Sequence, residues 1–288
     1  GLCRHPVSGR GYTPLVADLL DRELISRVVR EVAPTHVFHL AAQSSVAASF
    51  EDAGGTLTNN LAAEANLLDA CRALPAPPRV LVVGSAEEYG LVRPEETPLT
   101  EAQPFRPTSP YAVSKVAQDL LGWQYFHSYG LPVVRVRPFN HAGPGQSDQF
   151  AISAFARQIA EIEAGRREPV VRVGNLDARR DFLDVRDVAR AHVLALTRGT
   201  PGAVYNIGSG VAVRVGDALD ALLRLARVPV AVEPEPARLR PSDVPLLVAD
   251  SRALREATGW RPAITLGATL AATLEWWRDR VASGEEGD

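Results

Sequence analysis

The apolar positions of the first half of the chain fall into two kinds of run. Short, nearly continuous apolar stretches at residues 35–42, 79–84 and 131–137 have strand length. Between them lie longer stretches with helical spacing. Asp21 is placed to cap a helix over Arg22–Val32, and residues 55–73 repeat Leu57, Leu61, Leu67, Leu68 and Cys71 at helical intervals. Residues 108–129 predict a third helix. Gly1-Leu2-Cys3-Arg4 reads as the tail of a strand already in progress. Buried strands alternating with helices of this length predict an α/β fold, a doubly wound parallel sheet covered on both faces.

The second half is less regular. Helices are expected over 150–164, 185–197, 215–226, 254–258 and 266–281, with strands at 169–173 and 203–207. The Pro-rich stretch 233–245 reads as a loop, and the polar end 283–288 as a frayed tail. No internal repeat is visible. This half is expected to form a smaller α/β lobe assembled from discontinuous pieces. The division read from the pattern is 1–140 with 182–208 for the sheet domain, and 141–181 with 209–288 for the lobe.

Composition narrows the class. At 288 residues, 46% hydrophobic and 23% charged, the chain matches a soluble globular enzyme. A net charge of -3 gives no reason to expect nucleic acid or an anionic membrane as partner. Two cysteines, Cys3 and Cys71, make no disulfide framework and suggest a reducing, cytoplasmic compartment. No signal peptide or membrane-length apolar run is visible. The six histidines and two cysteines show no metal-ligand spacing, so no metal is expected. The chain contains no methionine, and residue 1 is read as lying inside a longer natural chain.

One local pattern carries chemistry. Ser109-Pro110-Tyr111-Ala112-Val113-Ser114-Lys115 places a tyrosine and a lysine four residues apart near a helix start, on one helical face. An ammonium beside a phenol favours phenolate, so the Tyr111 pKa is expected to fall toward neutrality. That suits a proton donor to a ketone or an acceptor from an alcohol. Tyr-Lys pairs on helix surfaces are common, but Lys115 is the only lysine among 31 basic residues. A guanidinium cannot replace a compact ammonium placed between a phenol and a sugar hydroxyl. Ser85, just past a predicted strand end, lies where α/β sheets place ligands, or it caps a helix. Arg180, Arg214 and Arg240 could clamp a diphosphate through bidentate hydrogen bonds, although each alone reads equally as a surface arginine.

Several stretches together resemble the extended short-chain dehydrogenase/reductase family of sugar-nucleotide epimerases, dehydratases and reductases. They are His39-Leu40-Ala41-Ala42-Gln43-Ser44-Ser45, Asn60 ahead of Asn66-Leu67-Leu68, Ser85, Tyr111 with Lys115, and Arg137-Pro138-Phe139-Asn140. Four more stretches, 84–90, 139–146, 173–182 and 239–245, are similar to those of the GDP-4-keto-6-deoxy-D-mannose reductase branch. The resemblance covers essentially the whole chain. It implies a Rossmann-like fold, with Ser85, Tyr111 and Lys115 catalytic and Glu87 placed as the base that dehydratase relatives use. It implies a nicotinamide cofactor near Asp18, Leu19, Ala41, Ala42, Asn60, Tyr111, Lys115 and His141. It implies a GDP-sugar held by Gln43, Ser44, Ser85, Asn140, Asn175, Arg180, Arg214, Arg240 and Asp243. Relatives dimerise through the helices of 55–73 and 108–129, so a homodimer is expected, with Ala62, Ala63, Ala65, Val116, Leu120 and Leu121 offered for packing.

The chain departs from the family at its front. The first strand and its Gly-x-x-Gly-x-x-Gly turn, which cradles a pyrophosphate, are not found. Where an NAD-dependent relative would carry an acid for the ribose 2′-hydroxyl, this chain has Cys3 and Arg4, which favours NADP(H) over NAD(H). The expected activity is reduction of the C4 ketone of GDP-4-keto-6-deoxy-D-mannose to GDP-D-rhamnose. The alternatives are a GDP-mannose 4,6-dehydratase, prompted by Glu87, a 4-epimerase, or a catalytically weak sugar-nucleotide binder, prompted by the missing turn.

Overall fold

The computed structural model describes residues 1–3, 11–238 and 244–284. In chain order its elements are β1 (Leu2–Cys3), β2 (Leu15–Val16), α1 (Arg22–Val32), β3 (His36–His39), α2 (Val46–Glu51), α3 (Ala53–Arg72), β4 (Arg79–Val83), α4 (Pro110–Tyr129), β5 (Val133–Pro138), β6 (His141–Ala142), α5 (Ala151–Glu163), β7 (Val170–Val173), β8 (Arg179–Arg180), β9 (Leu183–Asp184), α6 (Val185–Arg198), β10 (Val204–Ile207), β11 (Val213–Arg214), α7 (Val215–Leu223), β12 (Ala231–Pro234), β13 (Leu246–Leu247), α8 (Arg252–Thr258) and α9 (Leu266–Ser283). They form two compact units. Unit 1 comprises Gly1–Glu88, Pro107–Arg137 and Ala195–Tyr205, and unit 2 comprises Tyr89–Arg106, Pro138–Leu194 and Asn206–Asp288.

Unit 1 is built on a sheet of order β10-β5-β4-β3. β3, β4 and β5 are parallel, with Val37 opposite Val80 and Val80 opposite Val133. Val80, Leu81 and Val82 have no exposed surface, as expected of a strand in a parallel sheet buried on both faces. The helices start where the sequence supplies caps. Asp21 accepts from Leu24 N–H at 3.0 Å, Asp52 from Gly55 N–H at 2.8 Å and Ser109 from Ala112 N–H at 3.1 Å. α4 also has Pro110 in its first turn and ends on Gly130 in the left-handed region. Ile25 and Val29 of α1 pack with Leu67, Leu68 and Cys71 of α3 and with β4 in one core.

Unit 2 has its own core, where Phe155 and Ile159 of α5, Leu219 and Leu222 of α7, and Leu270, Leu274 and Trp277 of α9 meet Val171 and Val173. Its strands form small sheets: β7 with β12, β8 between β11 and β13, and β6 with β9.

Three expectations need revision here. The stretch 233–245 is not all loop, because β12 pairs in parallel with β7, Pro234 opposite Val173. α2, capped by Ser45 Oγ at 3.2 Å from Ala48 N, was not expected at all. Unit 2, read as the smaller lobe, takes in more of the chain than unit 1. One reason is that Tyr89–Arg106 packs with unit 2. There Tyr89 donates to Asn206 Oδ1 at 2.6 Å, Asn206 N donates to Glu101 at 2.8 Å, and Leu99 bridges to Ala249.

Candidate active site

In unit 1, β4 ends at Val83, and the chain turns through Gly84 and Ser85 into a short 3-10 turn at Ala86–Glu88. The turn is held by Glu88, whose Oε1 accepts the Ser85 N–H at 2.7 Å. That carboxylate lies over Gly84, where a Cβ would run into Glu88 Oε1. Ser85 Oγ accepts the Glu87 N–H at 3.2 Å. The Ser85 side chain is therefore both a local cap and a neighbour of the Tyr111 phenol, whose proton affinity it lowers.

Tyr111 sits in the first turn of α4, buried, with Lys115 one turn later. The Lys115 Nζ donates to Val83 O at 2.9 Å and lies 6.0 Å from the Tyr111 ring centroid. Ser85, Tyr111 and Lys115 thus gather at the end of β4, as the motif reading expected. The electrostatics differ from it. The Tyr111 pKa is raised, first by burial, with Ser85 pulling it back and Glu87 and Glu88 pushing it further up. Desolvation of a phenolate, reinforced by the two nearby carboxylates, outweighs the Ser85 hydrogen bond, which favours the neutral phenol over a poised phenolate. The Lys115 pKa is lowered, first by burial, and raised back by Glu64 and Glu88.

Asn60, expected near the cofactor, sits behind the loop after β3. It is fully buried, and its amide is committed inside unit 1. It accepts from Gln43 N at 2.8 Å and donates to Gln43 O at 3.1 Å and to Ser114 Oγ at 2.9 Å. It fixes the loop after β3 that carries Ala41, Ala42, Gln43 and Ser44. In that loop Ala41 and Ser44 are exposed, Ala42 and Gln43 half-buried. Asp18 turns the chain into α1, accepting from Leu20 N at 2.9 Å, and Leu19 packs on the unit 1 core.

The sequence reading missed a buried ionic cluster behind this site. Asp119, four residues past Lys115, accepts from Arg135 at 2.6 Å and from Arg137 at 3.0 Å. Arg137 also lies 3.1 Å from Glu88. His39 Nε2 is 3.4 Å from Gln118 Nε2 and 3.9 Å from Glu64. A signal was available: Arg135 and Arg137 alternate on one face of a strand read as buried, and buried guanidinium groups need acids.

The remaining expected residues lie in unit 2. Arg214 pairs with Asp177 at 2.8 Å, and Asp177 N–H donates to Asn175 Oδ1 at 2.9 Å, so Asn175 and Arg214 both meet Asp177. Arg180 donates to Val244 O at 2.6 Å and stands opposite Val213 across β8 and β11. Next to it, Asp181 accepts from Ser209, Gly210 and Ala249 and fixes the turn after β10. His141 Nδ1 is 3.1 Å from Phe139 O, and burial lowers its pKa. The Asn140 side-chain amide takes no hydrogen bond among the described residues, while its backbone carbonyl accepts from Leu183 at 2.9 Å. Arg4, Arg240 and Asp243 lie outside the described residues. Among the described residues no group of three or more His, Cys, Asp or Glu side chains could hold a metal ion, and no helix is long and apolar enough to cross a membrane.

Known proteins share this arrangement over nearly the whole chain. A family model described as GDP-mannose 4,6 dehydratase matches residues 9–273. The chain belongs to that family. Its fold is accordingly the Rossmann type of the short-chain dehydrogenase/reductase enzymes, and the protein is an oxidoreductase-class member of the epimerase/dehydratase group. It is 38% identical to a GDP-6-deoxy-D-mannose reductase from Pseudomonas aeruginosa, over 92% of this chain and 86% of that protein. It is 31% identical to a GDP-mannose 4,6-dehydratase from Vibrio cholerae, over 86% of this chain and 74% of that protein. Among solved structures it is similar to RMD from Pseudomonas aeruginosa complexed with NADPH, with a TM-score of 0.87, 35% identity, and coverage of 95% of this chain and 92% of that one.

The site fits the nicotinamide end of such a cofactor. An ammonium has three N–H donors, and Lys115 uses one of them, on Val83 O, among the described residues. Two donors remain beside the Tyr111 phenol, the arrangement a ribose with two hydroxyls requires.

Proposed function

We propose that this protein reduces the C4 ketone of GDP-4-keto-6-deoxy-D-mannose to GDP-D-rhamnose with NADPH. The observation that carries the reading is a buried phenol, Tyr111, beside the Ser85 hydroxyl and one turn from the only lysine, in a chain of this family. The greater similarity to a reductase than to a dehydratase supports it. The cofactor would supply the hydride. Ser85 Oγ hydrogen-bonds the ketone oxygen and orients it. Tyr111 Oη gives its proton to that oxygen as negative charge develops there. Lys115 holds the nicotinamide ribose with its two remaining donors, and its charge stabilises the tyrosinate left behind.

In unit 2, Asn140, Asn175, Arg180 and Arg214 are assigned to the GDP-sugar, and the Asn140 amide, without a hydrogen bond among the described residues, is offered to a sugar hydroxyl. Ala41 and Ala42 are assigned to the cofactor pyrophosphate. The preference for NADPH rests on Arg4 in place of an acid and on the NADPH-complexed relative. A kcat/KM for NADH above that for NADPH would reverse it.

The protein is also proposed to be a homodimer. Val113, Leu120 and Trp123 stand 43–51% exposed on α4, too much apolar surface on one helix face for a monomer to leave open. Ala62, Ala65, Val116 and Leu121 lie half-buried beside them, whereas Ala63 belongs to the core. Light scattering of Trp123→Glu should report half the mass of the wild type. An unchanged mass removes this face from the interface.

One observation favours a second reading, that of a dehydratase. Glu87 is close enough to the Tyr111 phenol to raise its pKa, which is where a base acting on the hexose would stand. Two incubations separate the readings. NADPH consumed with the 4-keto sugar supports reduction, whereas 4-keto product formed from GDP-mannose with catalytic oxidised cofactor supports dehydration.

A further inference from the structure

Ser85 and Tyr111 reach the site on different elements, Ser85 on the turn after β4 and Tyr111 on α4. Local sequence sets neither their distance nor their angle, so the fold must tie the turn to the helix. One tie is at the lysine: Lys115 Nζ, on α4, donates to Val83 O at the end of β4 at 2.9 Å. Another runs through buried side chains. Asp119, two turns beyond Tyr111 on α4, accepts from Arg137 Nε at 3.0 Å and Nη2 at 3.1 Å. Arg137, on β5, has its Nε 3.1 Å from Glu88 Oε2. The other Glu88 oxygen, Oε1, accepts the Ser85 N–H at 2.7 Å.

A glutamate three residues past a serine is, at a solvated helix start, an ordinary cap on the serine N–H. Glu88 is not placed as such a cap would be. Glu88, Asp119 and Arg137 are 0%, 1% and 3% exposed. Taking a carboxyl wholly out of water is costly, and a three-residue turn does not require it. The turn is also shaped to admit the carboxyl. A Cβ on Gly84 would run into Glu88 Oε1, and the Gly84 N–H is held by Val136 O at 2.8 Å, one residue before Arg137. Burial and Asp119 raise the Glu88 pKa, while Arg137 and the Ser85 N–H lower it. The bond to Ser85 survives either charge, because a proton on Oε2 leaves Oε1 an acceptor.

We propose that Glu88 is a positioning residue for Ser85: with Arg137 and Asp119 it couples the Ser85 turn to the helix that carries Tyr111, and so holds the hydroxyl in register with the phenol. The Ser85 hydroxyl accepts the Glu87 N–H at 3.2 Å, which orients it within the turn but does not tie the turn to α4. Two groups that grip one ketone oxygen must be placed closely, since a displacement of about 1 Å costs on the order of a hundredfold in rate. The task given to Ser85 rests on the reductase reading above, whereas its bond to Glu88 does not.

The first arm of the test needs neither cofactor nor substrate. Amide hydrogen exchange of the ligand-free protein reads the Ser85 N–H directly. Glu88→Leu keeps the volume and removes the acceptor; it should speed exchange at Ser85 by about tenfold or more and leave Val82, inside β4, as protected as before. Glu88→Gln, whose side-chain carbonyl still accepts, should keep most of the protection. The second arm is a double-mutant cycle on turnover of the keto sugar. Glu88→Leu alone should lower kcat by about tenfold to a hundredfold with little change in KM, and Glu88→Gln should recover most of the loss. In a Ser85→Ala background Glu88→Leu should cost less than about twofold, because the hydroxyl it positions is gone. Equal losses in the two backgrounds, or unchanged Ser85 exchange in Glu88→Leu, overturn the proposal. Glu88→Met takes the same measurements if the leucine variant does not fold. A wild type inactive toward the keto sugar overturns the reductase reading instead; the cycle is then run on 4-keto formation from GDP-mannose, with the same non-additivity expected.

Discussion

Tyr111 and Lys115 divide the chemistry of the site between a proton and a charge. Burial raises the phenol pKa, so Tyr111 keeps its proton through and above neutral pH, as a donor to a ketone must. The same burial lowers the ammonium, so Lys115 loses its charge before Tyr111 loses its proton. The kcat/KM profile for reduction should therefore be flat through neutrality and fall on the alkaline side, with no acid limb from Tyr111. A limb descending below neutral pH and abolished by Tyr111→Phe would contradict this assignment. Ser85, Tyr111 and Lys115 were legible because their chemistry is local, a helix-spaced pair and a serine at a strand end. Glu64, His39 and Asp119 were not, because their partners lie on other elements and only the fold brings them together. The expected fall of the Tyr111 pKa failed for a related reason: spacing reports a neighbouring charge, but not the desolvation that outweighs it.

α4 is the element that organises the site, and its tolerance to change should vary along its length. Ser109→Ala removes the cap that holds Ala112 N–H and should cost about 1 kcal/mol of unfolding free energy in denaturant titration. Asp119→Asn leaves Arg135 and Arg137 short of a buried counter-charge and should cost about 3–5 kcal/mol. If Asp119→Asn costs no more than Ser109→Ala, the ionic cluster is not holding α4 to β5. Elements with long apolar periods, such as α1, α3 and α4, were readable from the sequence. α2 was not, since its six residues are too few for a period and only Ser45 marks its start. β12 was hidden by Pro234 at its end. It is tolerated because it pairs with β7 alone and leaves its other edge open, where a missing N–H removes no ladder bond.

At the scale of the molecule, the α/β class and the parallel sheet followed from the alternation of strands and helices, while the extent of each unit did not. Non-local pairings of segments such as Tyr89–Arg106 leave no periodic trace. Stability as a whole should depend on pH through its inward-set histidines, the buried His39 and the half-buried His192 most strongly. Burial holds His39 and His192 down from 6.5 to about 4. Each depressed pKa stabilises the fold fully above the unfolded value, and that contribution is lost as pH falls from about 6.5 toward 4, about 3 kcal/mol per histidine. The denaturation midpoint should drop across that window, and His192→Gln should flatten the drop if the variant stays folded. The account as a whole stands on Tyr111 acting as proton donor in ketone reduction, and one measurement tests that most directly: NADPH consumption with GDP-4-keto-6-deoxy-D-mannose by the wild type and by Tyr111→Phe. The account predicts turnover in the wild type and a kcat lower by roughly two to four orders of magnitude in the variant, with similar NADPH affinity. A variant turning over near the wild-type rate, or a wild type that leaves NADPH unconsumed, would contradict it.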